Sequence, residues 1–218
     1  MLRSPINWAT TKPNHFSSRH YSDRLNCIEQ IHILSYNLNS VMIRTMKIIV
    51  DTSVLISLAK IGRLEILARM TGNLAIPEAV YEEAVVEGEK KDIPDATIIK
   101  MFIAGHNIPV AKVQRDFMKM LFSNIKKKLP KGDSAVLALA TQESAKQIMT
   151  DDEGLGKIAL SLGFDVVASP DLMLRSLIAG EIEFRDFEKS IRSLVLENRL
   201  GSTVAELYIK EGQEYVEL

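Results

Sequence analysis

MKIIVDTSVLISLAKIG, residues 46–62, decides how the rest of the chain is read. Lys47 to Val50 reads as a buried strand, because Ile48, Ile49 and Val50 form an unbroken β-branched run. Thr52 or Ser53 caps the helix that follows, in which Val54, Leu55, Leu58 and Ile61 recur at helical spacing until Gly62 stops it. Asp51 is thereby predicted at the carboxyl end of a central strand, where open α/β sheets place their ligands. Taken alone, Asp51 reads equally well as a helix cap. The deciding question is whether other acids fall at equivalent strand ends.

Working outward, strands and helices alternate. Leu64 to Met70 is a short helix, residues 71–73 turn the chain, and Leu74 to Ile76 form a brief strand. Pro77 then opens a helix at its first position, with Val80, Ala84 and Val85 as the buried face. Glu87 to Asp92, one glycine among five charges, reads as a solvated loop, and Pro94 starts a helix through Ala104. Ile108 to Val113 is a strand that Pro109 restricts to an edge or a strand start. Arg115 to Lys128 is helical. Lys131, Gly132 and Asp133 begin a nearly all-apolar helix that should be central and buried. Gln147 to Met149 is a strand running into Thr150, Asp151 and Asp152. Glu153 to Leu162 is a helix closed by Gly163, and Phe164 to Ala168 is the next strand. Pro170 to Ala179 is helical, a longer helix from Phe184 ends near Gly201, and Thr203 to Ile209 is a last short one. Phe187, Ile191 and Leu194 form one stripe of the longer helix, suited to core packing or to a homodimer or antitoxin interface. Repeated βα units predict a parallel sheet with helices on both faces.

Residue usage narrows the chemistry further. The chain has 218 residues, enough for one ample domain, and its 46% hydrophobic and 25% charged content is ordinary for a globular protein. A net charge of -1 means that any nucleic-acid binding must use a local patch. No apolar stretch reaches membrane-spanning length, and the single cysteine, Cys27, makes the cytoplasm the expected compartment. Residues 1–45 hold that cysteine, the only tryptophan and three of the four histidines, with five basic residues against two acidic. Composition changes so sharply at Met46 that residues 1–45 are expected to be a poorly ordered or spurious extension. Residues 46–218 would then be the working domain with C-terminal helices. From Met46 onward there is no cysteine, and His106 is the only histidine. Cysteine-based sites are excluded there, and carboxylates are nearly the only ligating groups left.

Asp51 and the Asp151–Asp152 pair both stand at strand ends that lead into helices, and in a parallel sheet such ends share one edge. Asp133 opens the most apolar helix, where an acid is equally a complement to the helix dipole. Glu82 and Glu83 project about 100° apart on an α-helix, so at most one faces the sheet edge. Glu83, one turn past Val80, is the better placed. Carboxylates that converge without cationic partners repel one another unless a cation compensates. Oxygen-only ligands select Mg²⁺ or Mn²⁺, in chemistry suited to phosphodiester hydrolysis. Lys126, Lys127, Lys128 and Lys131, just before Asp133, are candidate contacts for backbone phosphates, or else a solvated helix end.

The series IIVDTSVLISL, IPEAVYEEAV, KGDSAVLALA and IMTDDEGLGKIALSLGF resembles the PIN-domain nucleases in order and spacing. The continuation DLMLRSLIAGEI is similar to a little-characterised branch of that family near the toxin ribonucleases of toxin-antitoxin systems. The resemblance covers residues 46–218 and none of 1–45. It implies a three-layer α/β/α fold around a parallel sheet of about four to five strands. It also implies a metal-dependent endoribonuclease in which Asp51, Glu83, Asp133 and Asp151 or Asp152 bind Mg²⁺ or Mn²⁺. Thr52, Ser53 and Thr150 would support those ligands, and the partners would be RNA, an antitoxin protein and a second copy of the chain. Adjacent Glu82 and Glu83, and adjacent Asp151 and Asp152, leave the second and fourth ligands open. Thr150-x-Asp152 favours Asp152, whereas direct succession to Thr150 favours Asp151.

Other strand-end aspartate chemistries fit less well. A haloacid-dehalogenase phosphatase needs a second Asp two residues after the first, where Ser53 stands, and the acids fall in the wrong order for a receiver domain. Glycine motifs for a nucleotide are absent. The remaining competitor is a PIN-like module that keeps its carboxylates but acts by binding.

Overall fold

A computed structural model describes residues 47–70, 73–124 and 129–217. Five parallel strands form the central layer: β1 (Lys47–Val50), β2 (Asn73–Pro77), β3 (Val110–Ala111), β4 (Gln147–Met149) and β5 (Asp165–Val167). Their order across the sheet is β3-β2-β1-β4-β5. The run that reads as buried in the sequence lies mid-sheet, with Ile49 and Val50 wholly buried. Register pairs Ile49 of β1 with Ala75 of β2 on one side and Ile148 of β4 on the other. Strands nearly a hundred residues apart therefore end side by side.

Helices cover both faces, which makes the expected three-layer α/β/α arrangement around a parallel sheet. They are α1 (Thr52–Lys60), α2 (Glu65–Met70), α3 (Glu78–Tyr81), α4 (Glu87–Lys90), α5 (Pro94–Gly105), α6 (Arg115–Asn124), α7 (Lys131–Gln142), α8 (Glu153–Ser161), α9 (Ser169–Ile178), α10 (Phe184–Leu196) and α11 (Ser202–Val216). A π-helical turn, Glu82–Val86, joins α3 to α4. Helix α7 is buried from Ser134 to Ala140, as its all-apolar face requires. Gly62 and Gly163 adopt φ of +66° and +87°, the left-handed geometry that ends α1 and follows α8.

Several sequence expectations need correction. Pro77 ends β2 in extended geometry (ψ 144°), so the helix starts one residue later than expected. Of residues 87–92 only Lys91 and Asp92 are a turn: Glu87–Lys90 is helical, and buried Gly88 faces Ala96, whose Cβ would lie 2.6 Å from a Cβ at position 88. The predicted strand over 108–113 shrinks to Val110–Ala111, after Pro109 at the sheet edge. Helix α10 stops at Leu196, where Asn198 takes a φ of +54°, and α11 is far longer than the predicted 203–209. The stripe of Phe187, Ile191 and Leu194 is buried in the core, with α10 packed on α9 and α11. A Cβ at Gly212 of α11 would lie 2.4 Å from the Phe187 ring, so the two helices approach closely there. The weak pattern over Leu25–Leu38 and the run Lys126–Lys128 lie outside the described residues.

Candidate active site

The end of β1 is tied to the end of β4 by the Asp51 amide, which donates to the Met149 carbonyl at 2.9 Å. Buried Asp51 also caps α1, so the cap reading and the strand-end reading both describe it. Its Oδ2 accepts from the Ser53 amide (3.3 Å), the Ser53 hydroxyl (2.5 Å) and the Thr150 hydroxyl (2.9 Å). Every described hydrogen bond to this carboxylate falls on Oδ2, leaving Oδ1 outside the network.

Glu83 enters from the π turn, where Thr52 Oγ1 donates to its Oε2 at 3.2 Å. Such turns recur at functional sites because they re-aim one side chain out of helical register. Glu82 takes the other direction and accepts from Lys131 Nζ at 2.5 Å on the exposed surface. The pair spans from the π turn to the first residue of α7. Gly132 lets these elements close up: a Cβ there would lie 2.9 Å from Glu83 Oε2.

Asp133, half-buried in the first turn of α7, has its carboxyl pushed up from 3.8 to about 6. Burial is the largest cause, then the charges of Asp51 and Asp152, with Glu83 adding a smaller push and a backbone hydrogen bond opposing them. Asp51, Glu83 and Asp152 thus all bear electrostatically on Asp133 at the carboxyl edge of the sheet. Exposed Asp152 caps α8, accepting from the Leu155 amide on Oδ1 at 2.7 Å, and its own amide donates to Thr150 Oγ1 at 3.0 Å. Asp151 is arranged differently: Oδ1 accepts the Ser169 amide and Oδ2 the Ser169 hydroxyl, each at 2.7 Å.

The donor set fits a hard divalent cation in kind and in sign, since it is made of carboxylate oxygens whose repulsion a cation would relieve. His106 lies elsewhere, paired with Glu65 at 3.1 Å. Among the described residues no group of three or more His, Cys, Asp or Glu side chains is already arranged to hold a metal ion. The acids are gathered, but they are not closed into a chelate.

Sequence reasoning passed over Ser169, Asp171 and Tyr208. Asp171 accepts from the Ala168 amide at 2.9 Å and from the Tyr208 hydroxyl at 2.6 Å, and burial pushes its carboxyl up. The usable signal was Ser169-Pro170-Asp171 directly after a strand, which is a helix start with an acid at its third position. Tyr208 had no local signal. Among the described residues no helix is long and apolar enough to cross a membrane. A family model described as PIN domain matches residues 47–211. No curated protein and no solved structure matches the chain.

Proposed function

The chain belongs to the PIN-domain family, and from that membership we propose that it is a ribonuclease dependent on Mg²⁺ or Mn²⁺ that hydrolyses RNA phosphodiester bonds. PIN domains are generally nucleases that use divalent metals. The observation that carries the proposal is the meeting of strand ends β1 and β4 with the start of α7, which sets Asp51, Asp152 and Asp133 at one edge of the sheet with oxygen-only chemistry; burial first, and then the charges of Asp51, Asp152 and Glu83, push the Asp133 carboxyl up to about 6 there.

In this reading Asp51, Glu83, Asp133 and one of the Asp151–Asp152 pair hold the ion, which when bound supplies Lewis acidity toward the scissile phosphate. Thr52 orients Glu83, while Ser53 and Thr150 fix Asp51 so that its Oδ1 faces no internal donor. Lys131, at the cluster's rim, neutralises a neighbouring phosphate of the strand, and Lys126, Lys127 and Lys128, close to it in sequence, are the further phosphate contacts of this reading. Residues 46–218 make up the nuclease domain, and residues 1–45 are an extension without a part in the chemistry. The enzyme acts in the cytoplasm as the toxin of a toxin-antitoxin pair, restrained by an antitoxin and assembling as a homodimer.

The lack of a ready-made chelate among the described residues favours a second reading, a PIN-like module that binds within an RNA-processing or regulatory complex without cutting. Incubating an RNA panel with Mn²⁺ and the wild type, Asp51→Asn and Asp133→Asn separates the two. The nuclease reading expects cleavage by the wild type alone. Cleavage surviving in both variants rejects the assignment, and a wild type that neither cleaves RNA nor binds Mn²⁺ selects the binding module.

A further inference from the structure

We infer that Ser169 clamps Asp151 through both of its carboxylate oxygens, making Asp151 a positioning residue and leaving the fourth ligand place to Asp152. The inference rests on the metal-dependent reading above.

The clamp is two-pronged. The Ser169 amide donates to Asp151 Oδ1 and its hydroxyl to Oδ2, both at 2.7 Å, and Ser169 is wholly buried. For Asp151 to turn toward Asp51 and Asp133, both charge-assisted bonds would have to break, leaving a buried hydroxyl and a helix-terminal amide without their acceptor. Ser169 cannot follow, because the start of α9 is anchored from behind. Asp171 receives the Ala168 amide at 2.9 Å, and Asp171 is itself held by the hydroxyl of Tyr208 on α11 at 2.6 Å. Toward the cluster, the Asp151 amide donates to Ser53 Oγ at 2.8 Å, and Ser53 donates to Asp51. Asp151 is thus the middle of a relay from the C-terminal helix to the first carboxylate.

Asp152 has the opposite character. It is exposed, only its Oδ1 has a described partner, and its charge bears on Asp133, whereas the charge of Asp151 bears on Asp171. Adjacent aspartates at the end of β4 therefore divide the work, one facing the helices and one facing the acids.

The test titrates Mn²⁺ by calorimetry into the full chain as wild type, Asp152→Asn, Asp151→Asn, Asp151→Ala and Ser169→Ala, with a thermal melt of each metal-free protein and RNA cleavage in parallel. An asparagine at 151 can still accept the Ser169 amide and donate to its hydroxyl, so it preserves the clamp; alanine cannot. The expected result is Mn²⁺ affinity within about threefold of wild type for Asp151→Asn, and about 10-fold weaker for Asp151→Ala and Ser169→Ala. The double variant Ser169→Ala with Asp151→Ala should be no worse than either single one. Asp152→Asn should lose more than about 100-fold. Asp151→Asn losing Mn²⁺ as fully as Asp152→Asn overturns the inference, as does Asp152→Asn binding like the wild type. If Ser169→Ala fails to fold, the contrast between Asn and Ala at 151 still decides. A wild type that binds Mn²⁺ without cutting RNA removes the nuclease reading while the binding series still judges the clamp. A wild type that binds no Mn²⁺ removes both.

Discussion

Thr150 donates its hydroxyl proton to Asp51 Oδ2 at 2.9 Å and accepts the Asp152 amide on the same oxygen at 3.0 Å. Ser53 does the same one step away, donating to Asp51 and accepting the Asp151 amide. The two hydroxyls lie 3.2 Å apart, yet each has already given its single proton to the carboxylate, so no hydrogen bond joins them. Two small side chains thereby splice the end of β4 to the end of β1.

Thr150→Val keeps the shape of that splice and removes its hydroxyl. Asp51 loses a donor and the Asp152 amide loses its acceptor, so unfolding stability should fall by about 1–3 kcal/mol. Thr150→Ser should recover most of it. Urea unfolding of the three proteins measures the difference, and a Val variant as stable as wild type contradicts the account.

Gly132→Ala separates stability from activity. Its φ is not in the left-handed region, so alanine suits the helix and folding stability should hold or rise by a few tenths of a kcal/mol. The new methyl meets Glu83 Oε2 at 2.9 Å and forces that carboxylate aside. Cleavage should drop by about 10-fold or more, because small displacements at a reacting centre are costly. Thermal melting and single-turnover cleavage on the same preparation check both halves.

The raised carboxyl of Asp133 sets a pH signature. The folded protein keeps a proton up to about pH 6 that the unfolded chain releases near its ordinary 3.8, so this group's contribution is complete at low pH and lost as pH rises through about 6. Metal binding runs the other way: Mn²⁺ needs the carboxylate, and its affinity should weaken as pH falls below 6, by up to about tenfold per unit. Melting of wild type minus Asp133→Asn, with and without Mn²⁺ from pH 4.5 to 7.5, isolates both trends. A difference independent of pH would count against the assignment.

Lys131 is committed to Glu82, and that makes its contribution adjustable. Glu82→Gln should free the ammonium, tighten RNA binding and steepen its salt dependence. Lys131→Ala should weaken binding and reduce the logarithmic salt slope by about 0.7. Neither should shift stability appreciably, since the pair is exposed. Fluorescence anisotropy at several salt concentrations reads the slopes.

What was legible in the sequence follows from where the physics is local. The run Ile48–Val50 and the apolar α7 had to be buried, and both are. The division between Glu82 and Glu83 was open to helical geometry, and the structure directs Glu82 outward to Lys131 and Glu83 to Thr52. Gly88 misled because its neighbours are charged and exposed, while a residue with no side chain carries no hydrophobic signal of its close contact with Ala96. Helix α11 looked finished at Ile209 because buried Glu211 and Gly212 interrupt the apolar pattern that marks a core face. The clamp on Asp151 was invisible for a different reason: Ser169 and Tyr208 lie 18 and 57 positions away, and hydrogen bonds across such distances leave no periodicity to read.

Sheet order also dictates when the cluster can exist during synthesis. β1 and its Asp51 are made early, but the neighbouring strand that brings Thr150 and Asp152 beside it is β4, about a hundred residues later. Closing a loop of that length precedes any contact that rewards it. A growing chain on the ribosome, surrounded by RNA, therefore carries only scattered acids until β4 has emerged and docked.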